Sequence, residues 1–404
     1  MKKKPLSLGL FALILAAWSC GPTIPANVPP SQTGVSGSIT EDTTWSENTY
    51  VSGNVDVYGN LTIAPGVTVT LAKDAEICVY DTGNLAAVGT AERPIVFKAA
   101  TDSGWSGIYF TRGARGSELE YCDVSGAGSR DNYAIACSAA GYDQFTVKHC
   151  VIHDNAKGGI DAQHAAAGTG ILQNRFYGNA EFPAIINENA SMDSTNAFAK
   201  AGEIAASSPV NCVRFTGDIS SGKDMAFDIT EVPYFNESSI EINGRLAINA
   251  GVTVWMGNDA FIDVGETGSL VANGTQTKGV RFAPRRSTDV WKALYFYSGS
   301  RGNALSYCAI TGCGADSAFS RYALEFESRD SVGVQATLDH CSLYGNAMGG
   351  IHAEDSQDGI SISSCSFGDN GDSASGPYDI YYDGTGVTVT DATAMQGATA
   401  VTTN

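Results

Sequence analysis

The chain repeats one stretch of its own sequence, and this duplication is the strongest constraint on its fold. Residues 59–97 recur as residues 244–282, and a constant shift of 185 positions aligns the two without a gap. The shift carries Val67-Thr68-Val69 to Val252-Thr253-Val254 and Gly89-Thr90 to Gly274-Thr275. A repeat of this length indicates two units that share one fold.

The repeated stretch consists of very short predicted strands. Apolar and polar residues alternate over three to five positions, as in Leu61-Thr62-Ile63, and Gly, Pro, Asn or Asp ends each run. Alternation with a period of two predicts strands with one buried face. The closely spaced breakers make these strands too short for an ordinary sandwich. Short strands in a repeated chain are typical of a β-solenoid.

A second period, of 24 residues, runs through the later part of each unit. It separates Asn155 from Asn179 in the first unit and Cys341 from Cys365 in the second. A step of this size is that of one solenoid repeat. It predicts that successive coils bring together Cys150 and Asn174, Ile152 and Phe176, and Asn155 and Asn179.

Cysteines and tryptophans recur at matching positions of the two units. Five cysteines fill one repeated slot, namely Cys122, Cys150, Cys308, Cys341 and Cys365. We interpret them as small core residues stacked from coil to coil, with disulfides as the alternative in an oxidising compartment. Trp105 recurs as Trp291. We interpret both as core plugs, although exposed aromatic rings at this place would be able to stack on sugars.

The charge balance restricts the partners. The chain has 43 Asp and Glu against 24 Lys and Arg, a formal net charge of −19, and no basic stripe. So acidic a protein repels phosphate backbones, and we therefore expect no nucleic-acid partner. An acidic polysaccharide would need a local basic patch or bridging cations.

The first 20 residues have the order of a targeting segment. Lys2-Lys3-Lys4 precede an apolar run from Leu6 to Ala17, which is too short for a spanning helix, and Trp18-Ser19-Cys20 follow. The segment resembles a bacterial lipoprotein signal peptide, which implies cleavage before Cys20 and lipidation of that residue. Ordinary secretion with a structural Cys20 is the alternative. Gly21, in place of Asp, favours the outer membrane by the same resemblance.

These patterns divide the chain into four segments. Residues 1–20 form the predicted signal peptide, and residues 21–36, with four prolines, form a flexible tether. Residues 37–205 form the first β-helix unit and residues 206–404 the second. We expect a lipid-anchored protein of the bacterial cell envelope, with the outer membrane as its destination.

Three phrases of the repeat carry a resemblance to a known family. They are LTIAPGVTVTL from Leu61, GT-x-x-x-PI-x-F from Gly89, and W-x-G-I-x-F from Trp105. They resemble the right-handed parallel β-helix proteins of the pectate-lyase-like superfamily, and most closely its bacterial envelope members. The resemblance covers nearly all of residues 37–390 and implies an all-β fold, a right-handed parallel β-helix of two tandem units. This fold serves lyases, hydrolases, adhesins and passive scaffolds, so function depends on the site.

Charged side chains near the predicted turns are the candidate ligand-binding residues. They are Asp154, Asp161, His164 and Arg175 in the first unit, and His352, Glu354, Asp355 and Asp358 in the second. Paired carboxylates beside a base could cleave a glycosidic bond or hold Ca²⁺, whereas solvated turn residues are the simpler interpretation. Asp161 aligns with His352, so the two units do not share this chemistry. We predict no catalytic residue and no metal site, and Ca²⁺ is the one cofactor considered.

These observations favour a non-catalytic β-helix protein, anchored in the envelope, that binds a polysaccharide or a surface protein along its parallel-sheet face. One alternative is a polysaccharide lyase or glycoside hydrolase that acts in the same groove. Another is a structural spacer or adhesin. An enzyme should bring carboxylates and a base together from neighbouring coils, a binding protein should show an aromatic row, and a spacer should show neither.

Overall fold

The structure is a computed structural model that describes residues 34–206, 208–314, 322–327, 333–347, 349–353, 359–371, 379–383, 386–394 and 401–403. Its elements are short β-strands that pair in parallel and wind into a right-handed parallel β-helix. The predicted fold class is therefore confirmed. Across these residues there is no apolar helix long enough to cross a membrane.

One sheet runs along both units and is called the spanning sheet here. It takes one strand from nearly every coil. Its strands are Val35–Ile39, Thr49–Val57, Glu76–Val79, Gly107–Phe110, Ile135–Cys137, Ile160–Ala162, Ala184–Ile186, Val213–Phe215, Tyr234–Asn236, Thr253–Met256, Val280–Pro284, Cys308–Thr311, Ser342–Tyr344, Ser366–Gly368 and Thr393–Ala394.

Two further sheets complete the first unit. Sheet 1a precedes the spanning sheet in each coil and contains Thr68–Leu71, Ile95–Ala99, Cys122–Ser125, Val151–His153 and Arg175–Tyr177. Sheet 1b follows it and contains Thr43–Trp45, Asn60–Ile63, Asn84–Val88, Ser117–Glu120, Phe145–Lys148, Thr169–Leu172 and Ala190–Met192.

Two other sheets complete the second unit, and both follow the spanning sheet in each coil. Sheet 2a contains Ser239–Ile242, Phe261–Val264, Leu294–Phe296, Tyr322–Phe326, Gly349–Ala353, Ile380–Asp383 and Val401–Thr403. Sheet 2b contains Asp224–Phe227, Arg245–Asn249, Ser269–Asn273, Asn303–Ser306, Ala336–Asp339, Ile360–Ser363 and Val387–Thr390.

Inward side chains stack from coil to coil and form one core through both units. In sheet 1a, Val69, Phe97, Val124, Ile152 and Phe176 occupy one register position and have no exposed surface. Because strands in a sheet lie about 4.8 Å apart, each of these side chains contacts the one in the next coil. The alternation read from the sequence therefore corresponds to the inside and outside of the solenoid.

Asparagine side chains confirm the 24-residue coil step. Asn155 Nδ2 donates to Asn179 Oδ1 at 2.9 Å, and Asn346 Nδ2 donates to Asn370 Oδ1 at 3.0 Å. The backbone N–H of Cys150 donates to Asn174 Oδ1 at 2.9 Å. These buried amides bond main-chain groups at the corners, where the strands leave them without a ladder partner.

The five cysteines of the repeated slot, together with Trp105 and Trp291, lie in the core, as predicted. The nine cysteines from Cys78 to Cys365 are buried free thiols, and burial raises the pKa of Cys313. Trp105 and Trp291 have no exposed surface, and each indole N–H donates at 2.8 Å to a backbone carbonyl, that of Ser125 and that of Thr311 respectively. Both rings therefore seal the same loop of their unit.

Equivalent strands of the two units lie on different faces of the solenoid. Thr68–Leu71 of sheet 1a corresponds by the 185-residue shift to Thr253–Met256, which lies in the spanning sheet. Glu76–Val79 of the spanning sheet corresponds in the same way to Phe261–Val264 of sheet 2a. The second unit is therefore turned by one face relative to the first.

The junction itself is continuous. Ala184–Ile186, Val213–Phe215, Tyr234–Asn236 and Thr253–Met256 pair successively in the spanning sheet. Residues 198–206 and 208–211 leave this sheet and cross the outside of the corner between sheet 1a and the spanning sheet. The turn by one face and this crossing segment are the two features that distinguish the junction from the repeated coils.

Candidate functional site

A row of ionisable and aromatic side chains lies on the outward face of sheet 2a. Consecutive coils place together, in one register position, Asp263, Tyr295, Glu325, His352 and Tyr381. These five residues are called the 2a ladder here. Their sequence neighbours, such as Leu324 and Ile351, have no exposed surface and face the core, so the ladder residues point away from it.

The centre of the ladder is a carboxylate–imidazole pair. His352 Nδ1 lies 2.7 Å from Glu325 Oε2, and Glu325 is only 6% exposed. The imidazole lies between Tyr322 and Tyr381, with ring centroids 5.1 Å away on each side. Because the rings stack along the solenoid axis, they present their edges outward, with polar atoms rather than open ring faces.

The first residue of the 2a ladder, Asp263, is a carboxylic acid with a raised pKa. Burial, and secondarily the charge of Glu241, raises the pKa of Asp263 to about 7, while Lys292 opposes the shift. Burial also raises the pKa of Tyr295, so this hydroxyl stays protonated at any physiological pH. The ladder therefore offers hydroxyl donors beside carboxyl groups of differing charge.

The equivalent outward face of the first unit is partly covered. Its register position in the spanning sheet contains Tyr109, Ala136, Asp161 and Ile185. Ala136 and Ile185 belong to an apolar cluster, called the outer cluster here, of Tyr133, Ala136, Phe182, Ile185, Cys212 and Phe235. The guanidinium of Arg285 stands 4.2 Å from the centroid of Phe235. Ala136 and Ile185 are therefore buried on this face, whereas Tyr109 and Asp161 are half-buried.

Sequence comparison agrees with this architecture. Residues 31–199 match a family model described as a right handed beta helix region. The match covers most of the first unit, and the parallel sheets show the same right-handed β-helix architecture in both units. No curated protein sequence matches the chain. The pectate-lyase-like and lipoprotein assignments remain predictions.

The predicted ligand-binding residues of the first unit lie on two different faces of this β-helix. Asp154 and Arg175 belong to sheet 1a and the turn after it, where Arg175 donates to the carbonyl of Ala199 at 2.7 Å. Asp161 and the exposed His164 belong to the spanning sheet and its following turn. Gln163 donates to the half-buried carboxylate of Asp161 through its backbone and side-chain nitrogens at 3.1 and 2.9 Å.

The second-unit candidates are described only in part. His352 belongs to the 2a ladder, whereas Glu354, Asp355 and Asp358 lie outside the described residues, as does Cys20. Where the chain is described, no three His, Cys, Asp or Glu side chains come together in a form that would hold a metal ion. The Ca²⁺ site stays a prediction.

Asp154 lines a second feature, the cleft between sheet 1a and residues 198–206 and 208–211, called the junction cleft here. Its cavity volume is about 280 Å³, and its walls include Tyr177, Lys200, Glu203 and Ile204. His153, next to this wall, has Nδ1 at 2.7 Å from Asp154 Oδ2 and Nε2 at 3.2 Å from Asp123 Oδ1.

These hydrogen bonds, first that to Asp123, raise the pKa of His153 against the opposing effect of burial. The imidazole of His153 stacks on Tyr177 with centroids 4.7 Å apart, and Lys200 Nζ lies 5.3 Å from the same tyrosine centroid. The 24-residue step from His153 to Tyr177 could have revealed this stack from the sequence.

The 2a ladder could not be found in that way. Its members are separated by 32, 30, 27 and 29 residues, as the numbers of Asp263, Tyr295, Glu325, His352 and Tyr381 show. Because the loops between these strands differ in length, no constant period marks the ladder. Only its register in the folded sheet brings the five residues together.

Proposed function

We propose that the second unit binds a neutral polysaccharide along the outward face of sheet 2a. The observation that supports this proposal is the 2a ladder, in which five consecutive coils carry polar side chains at one register position. Tyrosine hydroxyls donate and accept, and carboxylates accept, as sugar hydroxyls require. The step between coils, about 4.8 Å, is close to the length of one sugar unit in an extended chain.

The charge of the ladder supports a neutral ligand. Glu241 and Asp263 face outward together with Glu325, and the whole chain carries a net charge of −19. An acidic polysaccharide would be repelled by this surface, whereas sugar hydroxyls would not. The first unit offers a less polar surface, because Ala136 and Ile185 occupy the matching positions and are buried in the outer cluster.

Binding of the full chain to immobilised neutral, acidic and amino polysaccharides tests this function. We expect retention on one or more neutral polymers. Tyr295→Phe should weaken it about threefold to tenfold, the effect of one lost hydrogen bond. Tyr109→Phe changes the corresponding tyrosine of the first unit and is the matched control. Equal losses in the two variants, or no retention on any neutral polymer, would refute the proposal and leave the structural spacer or a protein-binding role.

The Glu325–His352 pair favours one alternative function, a polysaccharide lyase or glycoside hydrolase. A buried carboxylate that orients an imidazole at 2.7 Å is an arrangement suited to general acid–base chemistry. The same polysaccharides, incubated with the full chain, should then release reducing ends or unsaturated products. Loss of product in Glu325→Gln with retention on the polymer intact would establish the enzyme. If no product appears with any polymer that is retained, the function is binding alone.

The envelope location forms part of the proposal. It is supported by the apolar leader and by Cys20, after which the proline-containing segment 21–36 would hold the β-helix off a membrane surface. Expression of the full chain in bacteria fed a labelled fatty acid should give a labelled protein, and Cys20→Ser should abolish the label. An unlabelled wild-type protein found in the soluble fraction would instead indicate ordinary secretion.

A further inference from the structure

The junction cleft is held open by contacts at both ends of the segment that forms it. At its start, Arg175 donates to the carbonyl of Ala199 at 2.7 Å, and the backbone N–H of Phe198 donates to Glu231 at 3.2 Å. At its end, Arg285 Nε donates to the carbonyl of Pro209 at 2.9 Å. The segment is therefore fixed against the solenoid, and the cleft does not depend on a ligand for its shape.

An exposed aliphatic side chain, that of Ile204, lies at the mouth of the junction cleft. Ile204 is 93% exposed and is the most exposed large apolar side chain among the described residues. Pro183 and Phe198 line the inner wall behind it and are buried. A fully exposed aliphatic side chain at the rim of an apolar wall gains free energy when another apolar side chain covers it.

Two opposite charges flank this apolar patch. Lys200 and Glu203 are both exposed, and neither has an ion pair in the part of the chain that the structure describes. The other charges of the cleft are already compensated, Asp154 by His153 and Glu181 by Lys157 at 3.0 Å. The ligand that complements the mouth therefore carries a negative and a positive group on either side of an apolar one.

The aromatic rings of the cleft do not favour a sugar. One face of Tyr177 is covered by His153 and Lys200 lies over the ring, while Phe198 is only 2% exposed. Neither ring offers an open face on which a sugar would stack. The cavity volume of about 280 Å³ leaves room for an amino-acid side chain and part of its backbone.

We propose that the junction cleft is a peptide-binding site, in which a partner protein inserts one aliphatic side chain against Ile204 and pairs its flanking charges with Lys200 and Glu203. This site is separate from the 2a ladder and does not depend on polysaccharide binding. It gives the chain a protein partner at the joint between its two units.

The test uses the full chain and fluorescent heptapeptides in which Asp-Leu-Lys or Lys-Leu-Asp stands between pairs of glycines. Both orders are used because a peptide could pair its charges with Lys200 and Glu203 in either chain direction. We expect at least one peptide to raise its fluorescence anisotropy saturably, and its counterpart with serine in place of leucine to bind at least tenfold more weakly.

Variants of the exposed aliphatic residues identify the site. Ile204→Ser should weaken binding about tenfold, whereas Val290→Ser, which changes another exposed aliphatic side chain, 41% exposed, should leave it unchanged. Lys200→Gln should weaken it as well. Absence of saturable binding for both peptides, or equal affinities for Ile204→Ser and wild type, would overturn the proposal. Polysaccharide retention by Ile204→Ser should stay at the wild-type level, so the two functions can fail separately.

Discussion

The two units carry the same kinds of inward residues but differ at several outward positions of one equivalent face. Inward positions are aliphatic in both, as Ile160 and Ile351 show. Outward, Ala136 of the first unit is covered by the outer cluster, whereas Glu325 at the matching position of the second pairs with His352. After duplication, the core therefore constrained the inward side chains, while the outward ones became either a packing surface or a polar ladder.

The difference shows where specificity resides in a solenoid of this kind. Coil-on-coil stacking fixes the backbone through residues such as Phe97 and Phe282, which correspond by the 185-residue shift and have no exposed surface. The outward positions contribute to stability only where another part of the chain covers them. Where nothing is required to pack on them, ionisable groups can accumulate without loss of the fold.

We expect the largest effects on stability from substitutions of Ala136 and Glu325, which occupy matching outward positions of the two units. Ala136→Glu places a carboxylate in the outer cluster, beside Asp161, where the guanidinium groups of Arg214 and Arg285 lie over Phe182. The free energy of unfolding should fall by about 3–5 kcal/mol, because the larger side chain overfills the packed cluster and its charge loses hydration that the nearby cations replace only in part. Glu325→Ala, its counterpart, should cost about 1–3 kcal/mol because it leaves His352 without its acceptor. Urea denaturation followed by circular dichroism measures both, and equal costs would mean that the outer cluster does not exclude water.

A second, smaller difference concerns the outward residues two coils further along. Ile185 is 3% exposed within the outer cluster, whereas Tyr381 is half-buried and has its ring centroid 5.1 Å from that of His352. We expect Ile185→Ala to lower the unfolding free energy by about 3 kcal/mol and Tyr381→Ala by about 1 kcal/mol. The same denaturation experiment applies. A larger cost for Tyr381→Ala would show that the ladder is itself a packing surface.

The smallest effect is a pH dependence at the position where the second unit has Asp263 and the first has Cys78. Folding favours protonated Asp263, because its pKa rises from 3.8 to about 7. Between these values the folded chain binds more protons than the unfolded chain, so stability falls as pH rises from about 4 to about 7. With partial solvent access taken into account, the loss should amount to about 1–2 kcal/mol.

Asp263→Asn should remove that component of the pH profile and raise stability near pH 8 relative to wild type. Cys78→Ser is the matched control, since Cys78 corresponds to Asp263 by the 185-residue shift. Burial raises the pKa of Cys78 to about 11, so the thiol stays protonated throughout this range. Identical pH slopes for Asp263→Asn and wild type would show that water screens Asp263 in both states.

The sequence was sufficient to predict the coil architecture. The 24-residue step placed Asn155 with Asn179 and Cys150 with Asn174, and the structure joins both pairs by hydrogen bonds. This inference succeeds because inward and corner side chains contact their own counterparts in the next coil. The repeat therefore encodes their neighbours directly.

The candidate site was less predictable, since each coil turns through three faces. Asp154 and Asp161 are seven residues apart, yet a corner lies between them and they occupy different sheets. The change of face at the junction was equally hidden, because residues 198–211 have no counterpart in the repeat to report how the units are joined. Glu325 and Tyr381 could not be predicted as site residues because loops of unequal length separate the ladder strands.

The turn of the second unit by one face has a geometric consequence for any long ligand. Sheet 2a follows the spanning sheet in each coil, as sheet 1b does in the first unit, so a filament aligned with the ladder continues above Ala190–Met192 of sheet 1b. It does not reach the sibling face that contains Tyr109. For the proposed polysaccharide, duplication would therefore lengthen the protein without doubling the number of binding faces, and attachment to a fibre would show no avidity from the second copy.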